Sequence, residues 1–216
     1  MKTGLLITTF NRPQYLAECL DSISKIEFDS ELLILIIDDF STNPETLALI
    51  DQFHIDKFEV RKMKLPKNQG IASVLRVGFN YLFASGCELV TNIDPDAIVK
   101  PNFLEVLIGL KKRFPDQIVS GFNTQTIDKK AGKVRHRTIG QYPDYCTKAS
   151  IGGINMTVSE PEYKAFILPA LKSPGHWDWN VCRSVKLFVV STPSVVQHIG
   201  IEAGLNMNNP DVAFDF

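Results

Sequence analysis

Residues 89–96 read Leu89-Val90-Thr91-Asn92-Ile93-Asp94-Pro95-Asp96, an apolar run that stops abruptly at two carboxylates flanking a proline. Residues 32–39, Leu32-Leu33-Ile34-Leu35-Ile36-Ile37-Asp38-Asp39, repeat the design. Runs this short have the length of strands. Because residues 32–37 are apolar throughout rather than alternating, both faces of that strand must be covered. Gly4 to Phe10 and Phe58 to Met63 read as two more strands, and the fourth begins at Glu88.

Helical signals fill the intervals. Asn11 offers an N-cap and Pro13 sits in a first turn, where its missing N–H costs nothing. Tyr15, Leu16, Cys19, Leu20 and Ile23 then follow at helical spacing. Ser41-Thr42-Asn43-Pro44 caps a second helix with Leu47, Ile50 and Phe53 on one stripe. Ile71 to Ala84 is a third helix, and Pro101 opens a fourth with Phe103, Leu104, Leu107 and Ile108 inward. This alternation predicts an α/β fold with a mostly parallel central sheet and helices on both faces. Such sheets bind ligands beyond the carboxyl ends of their strands. Thr8-Thr9, Asp38-Asp39 and Asp94-Pro95-Asp96 all fall there.

The rhythm changes after Gly121. Thr126 to Ile139 reads as a hairpin turning at Lys130-Ala131-Gly132-Lys133, and Ile151 to Thr157 as a strand. Pro161 to Leu168 and His176 to Val185 read as helices, and Leu187 to His198 as two short strands around Pro193. We expect one catalytic domain over 1–204, with halves 1–122 and 123–204, and a loose tail or linker over 205–216. The second half is expected to hold a smaller antiparallel part.

Composition narrows the function. The 216 residues carry 24 acidic and 23 basic side chains, a net charge of −1, which argues against gripping nucleic acid by bulk electrostatics. With 44% hydrophobic and 22% charged residues, the chain is neither disordered nor coiled coil. Cys19, Cys87, Cys146 and Cys182 are scattered, as reduced, mostly buried thiols would be. No apolar run is long enough to span a bilayer, and the first ten residues lack a signal-peptide cleavage pattern. We expect a soluble, cytoplasmic protein with no transmembrane segment. The Asn155-Met156-Thr157 sequon is then accidental.

Two carboxylates as close as Asp94 and Asp96 stay ionised together only beside a cation. Oxygen ligands suit Mg2+ or Mn2+, which share their shell with substrate phosphates. The plain alternative is a solvated turn, and for Asp38-Asp39 it is helix capping. An aspartyl phosphatase also uses Asp-x-Asp after an apolar strand, but on the first strand. The basic cluster Lys129, Lys130, Lys133, Arg135, His136 and Arg137 reads as a solvated hairpin surface, or as a flap over substrate phosphates or an acidic partner.

Ile7-Thr8-Thr9-Phe10-Asn11-Arg12 with Tyr15-Leu16, Ile37-Asp38-Asp39-Phe40-Ser41, Asn68-Gln69-Gly70, and Asp94-Pro95-Asp96 with Pro101 and Phe103-Leu104 resemble the ordered signature of GT-A glycosyltransferases, especially family 2. Gly152-Gly153, Trp177-Asp178-Trp179 and His198-Ile199-Gly200 continue the resemblance over nearly the whole chain. It implies a metal-dependent transferase moving a sugar from a nucleotide sugar, with a UDP-sugar favoured, to a hydroxyl of a glycan or glycoconjugate, by an inverting route. By the resemblance, Thr8, Thr9, Arg12, Asp38, Asp39, Asn68, Gly70, Arg76 and Asp94 face the donor, with Asp39 accepting from the base. Asp96, Asp94 and His198 would hold Mn2+ or Mg2+, and Asp178 would be the general base. Gly153, Trp177 and Trp179 would meet the acceptor sugar, although the tryptophans serve equally well as core anchors and His198 as a packed residue. A catalytically silent nucleotide-sugar or glycan-binding domain is the alternative from another class.

Overall fold

A computed structural model describes residues 1–128, 132–200 and 211–216. The first half follows the expected alternation: β1 (Thr3–Thr9), α1 (Pro13–Ser24), β2 (Leu32–Asp38), α2 (Pro44–Gln52), β3 (Glu59–Lys64), α3 (Ile71–Ala84) and β4 (Leu89–Ile93). A short strand β5 (Ala97–Val99), absent from the sequence reading, precedes α4 (Phe103–Arg113). There follow β6 (Val119–Ser120), β7 (Ile127–Asp128), β8 (Lys133–Val134), β9 (Thr138–Gln141), β10 (Tyr145–Lys148) and β11 (Asn155–Ser159). A helical segment of α5 (Glu160–Glu162), a π-helical turn (Tyr163–Ile167) and α6 (Leu168–Lys172) leads to α7 (Trp177–Ser184), β12 (Phe188–Ser191) and β13 (Val196–His198).

Nine strands form one sheet in the order β3-β2-β1-β4-β11-β6-β12-β10-β9. β3, β2, β1 and β4 are mutually parallel, and β11 enters antiparallel to β4. Most of the antiparallel part continues the same sheet, while β13-β5 and β7-β8 form separate two-stranded antiparallel sheets. Both β1 and β2 are buried at every position, as unalternating apolar runs require. Leu5, Ile7, Ile34 and Ile36 pack with α1 and α4 on one face, while Leu6, Leu33, Leu35 and Ile37 pack with α3, α6 and α7 on the other. β3 closes the edge with exposed Glu59, Arg61, Lys62 and Lys64, charges that discourage a further strand from pairing.

Three local readings are corrected. Asn11 does not cap α1; Arg12 occupies that position in the left-handed region, φ 58°. The side chain of Asn11 instead accepts from the backbone N–H groups of Thr42 and Asn43, each at 3.1 Å, tying the β1–α1 loop to the β2–α2 loop. The helix expected over Pro161–Leu168 runs from Glu160 to Lys172 and loosens into the π turn before Pro169, which has no N–H to donate. The strand expected from Ile151 starts only at Asn155.

The hairpin is present as β7 paired with β8, though Lys129, Lys130 and Ala131 lie outside the described residues. So do residues 205–210 of the expected tail. Its remaining part is in contact with the body: Ala213 bridges Thr124, and Asp215 accepts from the backbone N–H of Ser194 at 3.0 Å. Asn155 is wholly buried and bonded to Thr91, Asn92 and Gly121, so its sequon offers no side chain for modification. Among the described residues no helix is long and apolar enough to cross a membrane.

Candidate functional site

The carboxyl ends of β1, β2 and β4 lie side by side, with Thr9 opposite Asp38 and Ile7 opposite Ile93. Beyond them is a cavity of about 250 Å3 walled by Thr8 and Thr9, by Asp39, by Ile71 of α3 and by Asp94-Pro95-Asp96. Phe10 and Ile71, 44% and 45% exposed, give it an apolar rim. The Thr9 hydroxyl is buried with no hydrogen-bond partner among the described residues.

The two acids after β2 have separate jobs. Asp38 turns inward, where Oδ1 accepts from the Ser41 N–H at 2.9 Å and Oδ2 stands 3.8 Å from Lys64 Nζ. Asp39 lies in the cavity wall and accepts from Gln69 N–H at 2.7 Å and Gly70 N–H at 2.8 Å. The capping alternative thus holds in part, since Gly70, with φ 78°, starts α3. Each oxygen of Asp39 keeps a second lone pair for a ligand N–H.

Asp94 and Asp96 form the floor. The left-handed turn at Arg12 brings its guanidinium 3.1 Å from Asp96 Oδ2. His198 reaches the same oxygen, Nε2 to Oδ2 3.6 Å, because β13 pairs antiparallel with β5 and sets His198 opposite Ala97. Burial and the neighbouring Asp96 charge push the Asp94 carboxyl above its ordinary range, with Asp178 adding to the push and His198 and Arg12 opposing it. Burial acts on Asp96 in the same sense, but His198 and Arg12 outweigh it and hold that carboxyl low. Burial acts to lower His198, and Asp96 more than offsets it, so the imidazole is raised.

Among the described residues no group of three or more His, Cys, Asp or Glu stands ready to hold a metal. The arrangement suits a hard cation that takes few protein ligands and completes its shell with phosphate and water. A Cβ built on Gly200 would stand 2.3 Å from Asp96 Oδ2 and 2.8 Å from His198 Nε2. The glycine thus leaves a cradle between carboxylate and imidazole that any side chain would fill.

A second cavity, about 530 Å3, shares Ile71 and Asp94 with the first. Its walls include Arg135, His136, Gly153, Asp178, Trp179 and Asp211. Asp178 lies in the first turn of α7, where its Oδ1 accepts from the Trp179 N–H at 2.8 Å. The Trp179 ring stacks on His136 at 5.5 Å between centroids. The two tryptophans divide the two readings given to them. Trp177 belongs to the core and covers Gly153, where a Cβ would meet its ring at 2.6 Å, while Trp179 is 39% exposed.

The family model described as glycosyl transferase family 2 matches residues 5–171. The chain belongs to glycosyl transferase family 2. Glycosyltransferase GlyG of Streptococcus pneumoniae is 28% identical over 173 residues, 78% of this chain and 55% of that protein. An N-acetylglucosaminyltransferase of Mesorhizobium japonicum is 29% identical over 121 residues, 53% of this chain and 26% of that one. The chain spans about half the length of the first curated relatives it matches. Among solved structures, S. aureus TarS 1-349 in complex with UDP-GlcNAc aligns with a TM-score of 0.63 at 16% identity, over 91% of this chain and 58% of that one. GalNAc-T7 with UDP, GalNAc and Mn2+ aligns at 0.70 and 14% identity, over 92% and 44%. The fold is that of the GT-A glycosyltransferases.

Of the residues to which family 2 resemblance pointed, Thr8, Thr9, Arg12, Asp39, Asp94 and Asp96 share the smaller cavity, and Gly153, Trp177, Asp178 and Trp179 the larger. Asp38, Asn68, Gly70, Arg76 and His198 lie outside both linings, His198 reaching the smaller cavity only through its contact with Asp96. Asn68 and Arg76 are exposed, whereas Asp38 is buried behind the wall. Within the basic cluster, Arg135 and His136 turn into the cavity while Lys133 and Arg137 stay in solvent. Asp211 was missed because nothing in its local sequence marks it. Burial acts to raise its carboxyl, but His136, Thr124 and Thr126 bring it down to about 2.

Proposed function

We propose that this chain transfers a sugar from a UDP-sugar to a hydroxyl of a glycan or glycoconjugate with inversion, aided by Mn2+ or Mg2+. The observation that carries the reading is the pair of adjoining cavities meeting at Asp94, one walled by Thr8, Thr9, Asp39 and the Asp94-Pro95-Asp96 turn and the other by a carboxylate and an exposed tryptophan. Asp39 offers only acceptors, which suits the imide N–H of uracil. Phe10 gives the base an apolar face.

Asp96 and His198 around Gly200, with Asp94 beside them, would hold the cation. When bound, it neutralises negative charge on the diphosphate leaving group. Arg12, now on Asp96, would turn to the same phosphates. Asp178 takes the proton of the acceptor hydroxyl as its oxygen bonds to the anomeric carbon and the bond from that carbon to the diphosphate breaks. Trp179 supports the acceptor ring. The relatives' names and the UDP-GlcNAc complex of TarS favour an N-acetylhexosamine donor.

The phosphatase alternative has no support, since Asp94 follows the fourth strand and the chain is in family 2. Calorimetric titration with UDP tests the donor site: binding is expected with Mn2+ and weakened at least about tenfold in chelator or in Asp96→Ala. Equal binding in all three conditions would refute the metal assignment. Binding without turnover over any sugar and acceptor panel would establish the silent binding domain instead.

A further inference from the structure

His198 Nδ1 lies 2.9 Å from the backbone carbonyl oxygen of Asp211. A carbonyl oxygen only accepts, so Nδ1 carries the proton, and in the neutral ring Nε2, 3.6 Å from Asp96 Oδ2, is the nitrogen left to ligate a cation. That carbonyl is fixed by the side chain of its own residue. The Asp211 carboxylate accepts from Thr124 Oγ1 and stands 3.6 Å from His136 Nε2 and 3.7 Å from Arg135. Two further ties hold the segment. Ala213 exchanges hydrogen bonds with the Gln197 side chain at 2.8 and 3.1 Å, and Asp215 accepts from Asn123 at 3.1 Å.

We propose that Asp211 is a positioning residue for His198: its carboxylate locks the segment to the wall of the larger cavity, and its carbonyl then fixes the imidazole with Nε2 aimed at the metal cradle beside Gly200. The proposal rests on the metal reading above. An imidazole that donates its second N–H to a carbonyl is held in one tautomer and one orientation and is a better ligand, and loss of such a partner typically costs about 10–100-fold in metal affinity. The contact also links the two cavities, because Asp211 touches His136 of one and His198 beside the other.

Two measurements on the full chain test it. Nitrogen-15 shifts of the His198 ring, recorded without metal at alkaline pH, are expected to show the Nδ1–H tautomer in the wild type and a mixture in Asp211→Ala. An Nε2–H tautomer in the wild type would overturn the proposal whatever the metal does. Calorimetric titration with Mn2+ in the presence of UDP is expected to lose about tenfold in affinity in Asp211→Ala and nothing further when the same change is made in His198→Ala. An equal loss in both backgrounds would show a merely structural role and overturn it. If Asp211→Ala fails to fold, Asp211→Asn makes the same comparison with a smaller loss. Failure of the wild type to bind Mn2+ at all would overturn the metal reading itself, while the tautomer still judges the Asp211–His198 contact.

Discussion

At the scale of single residues, the site is defined by what each carboxylate faces. Asp178 is the acid that lines the larger cavity beside Trp179 and starts α7. Replacing it with Asn keeps the shape and the helix start but removes the proposed base. Asp178→Asn should retain UDP affinity and lose roughly 10²–10⁴-fold in the rate of transfer, read by steady-state kinetics; an unchanged rate would place the base elsewhere. Gly200→Ala puts a methyl group against Asp96 and His198. It should abolish the rise in melting temperature that Mn2+ and UDP produce together, whereas a preserved rise would move the cation away from that cradle. Strand-end acids were legible in the sequence because an apolar run broken by Asp-Asp or Asp-Pro-Asp marks the point where a buried strand leaves the core. Their division of labour was not: whether Asp38 or Asp39 faces the ligand depends on Ser41, Lys64, Gln69 and Gly70, contacts set by the meeting of three loops.

At the scale of elements, β5 and β13 show where pattern reading stops. Each has three residues, too few for periodicity, yet their pairing brings His198 beside Asp96. The long elements were readable since β1 and β2 are buried throughout and α3 carries a full apolar stripe. The segment from α5 to α6 depends on a buried charge. Lys111 of α4 pairs with Glu162 and donates to the carbonyls of Pro115 and Gln117, all with almost no exposure of either side chain. Lys111→Met leaves the Glu162 carboxylate and two carbonyls without this donor. Urea unfolding should show a loss of about 3–5 kcal/mol. A change below about 1 kcal/mol would mean that water or a neighbouring group takes over the contacts.

At the scale of the whole molecule, one sheet carries both halves of the proposed reaction. Its parallel half ends in the smaller cavity, β11 continues it antiparallel, and the larger cavity opens where the two halves meet near Asp94. A net charge of −1 conceals this placement: Asp39, Asp94, Asp96, Asp178 and Asp211 all converge on the two cavities. Such a cleft repels a diphosphate until a cation enters it. Release of UDP from a panel of UDP-sugars, measured with Mn2+ and with chelator, tests this most directly. The account predicts release from at least one UDP-sugar that requires the metal and disappears in Asp96→Ala. Release that continues undiminished in chelator and in Asp96→Ala would contradict it.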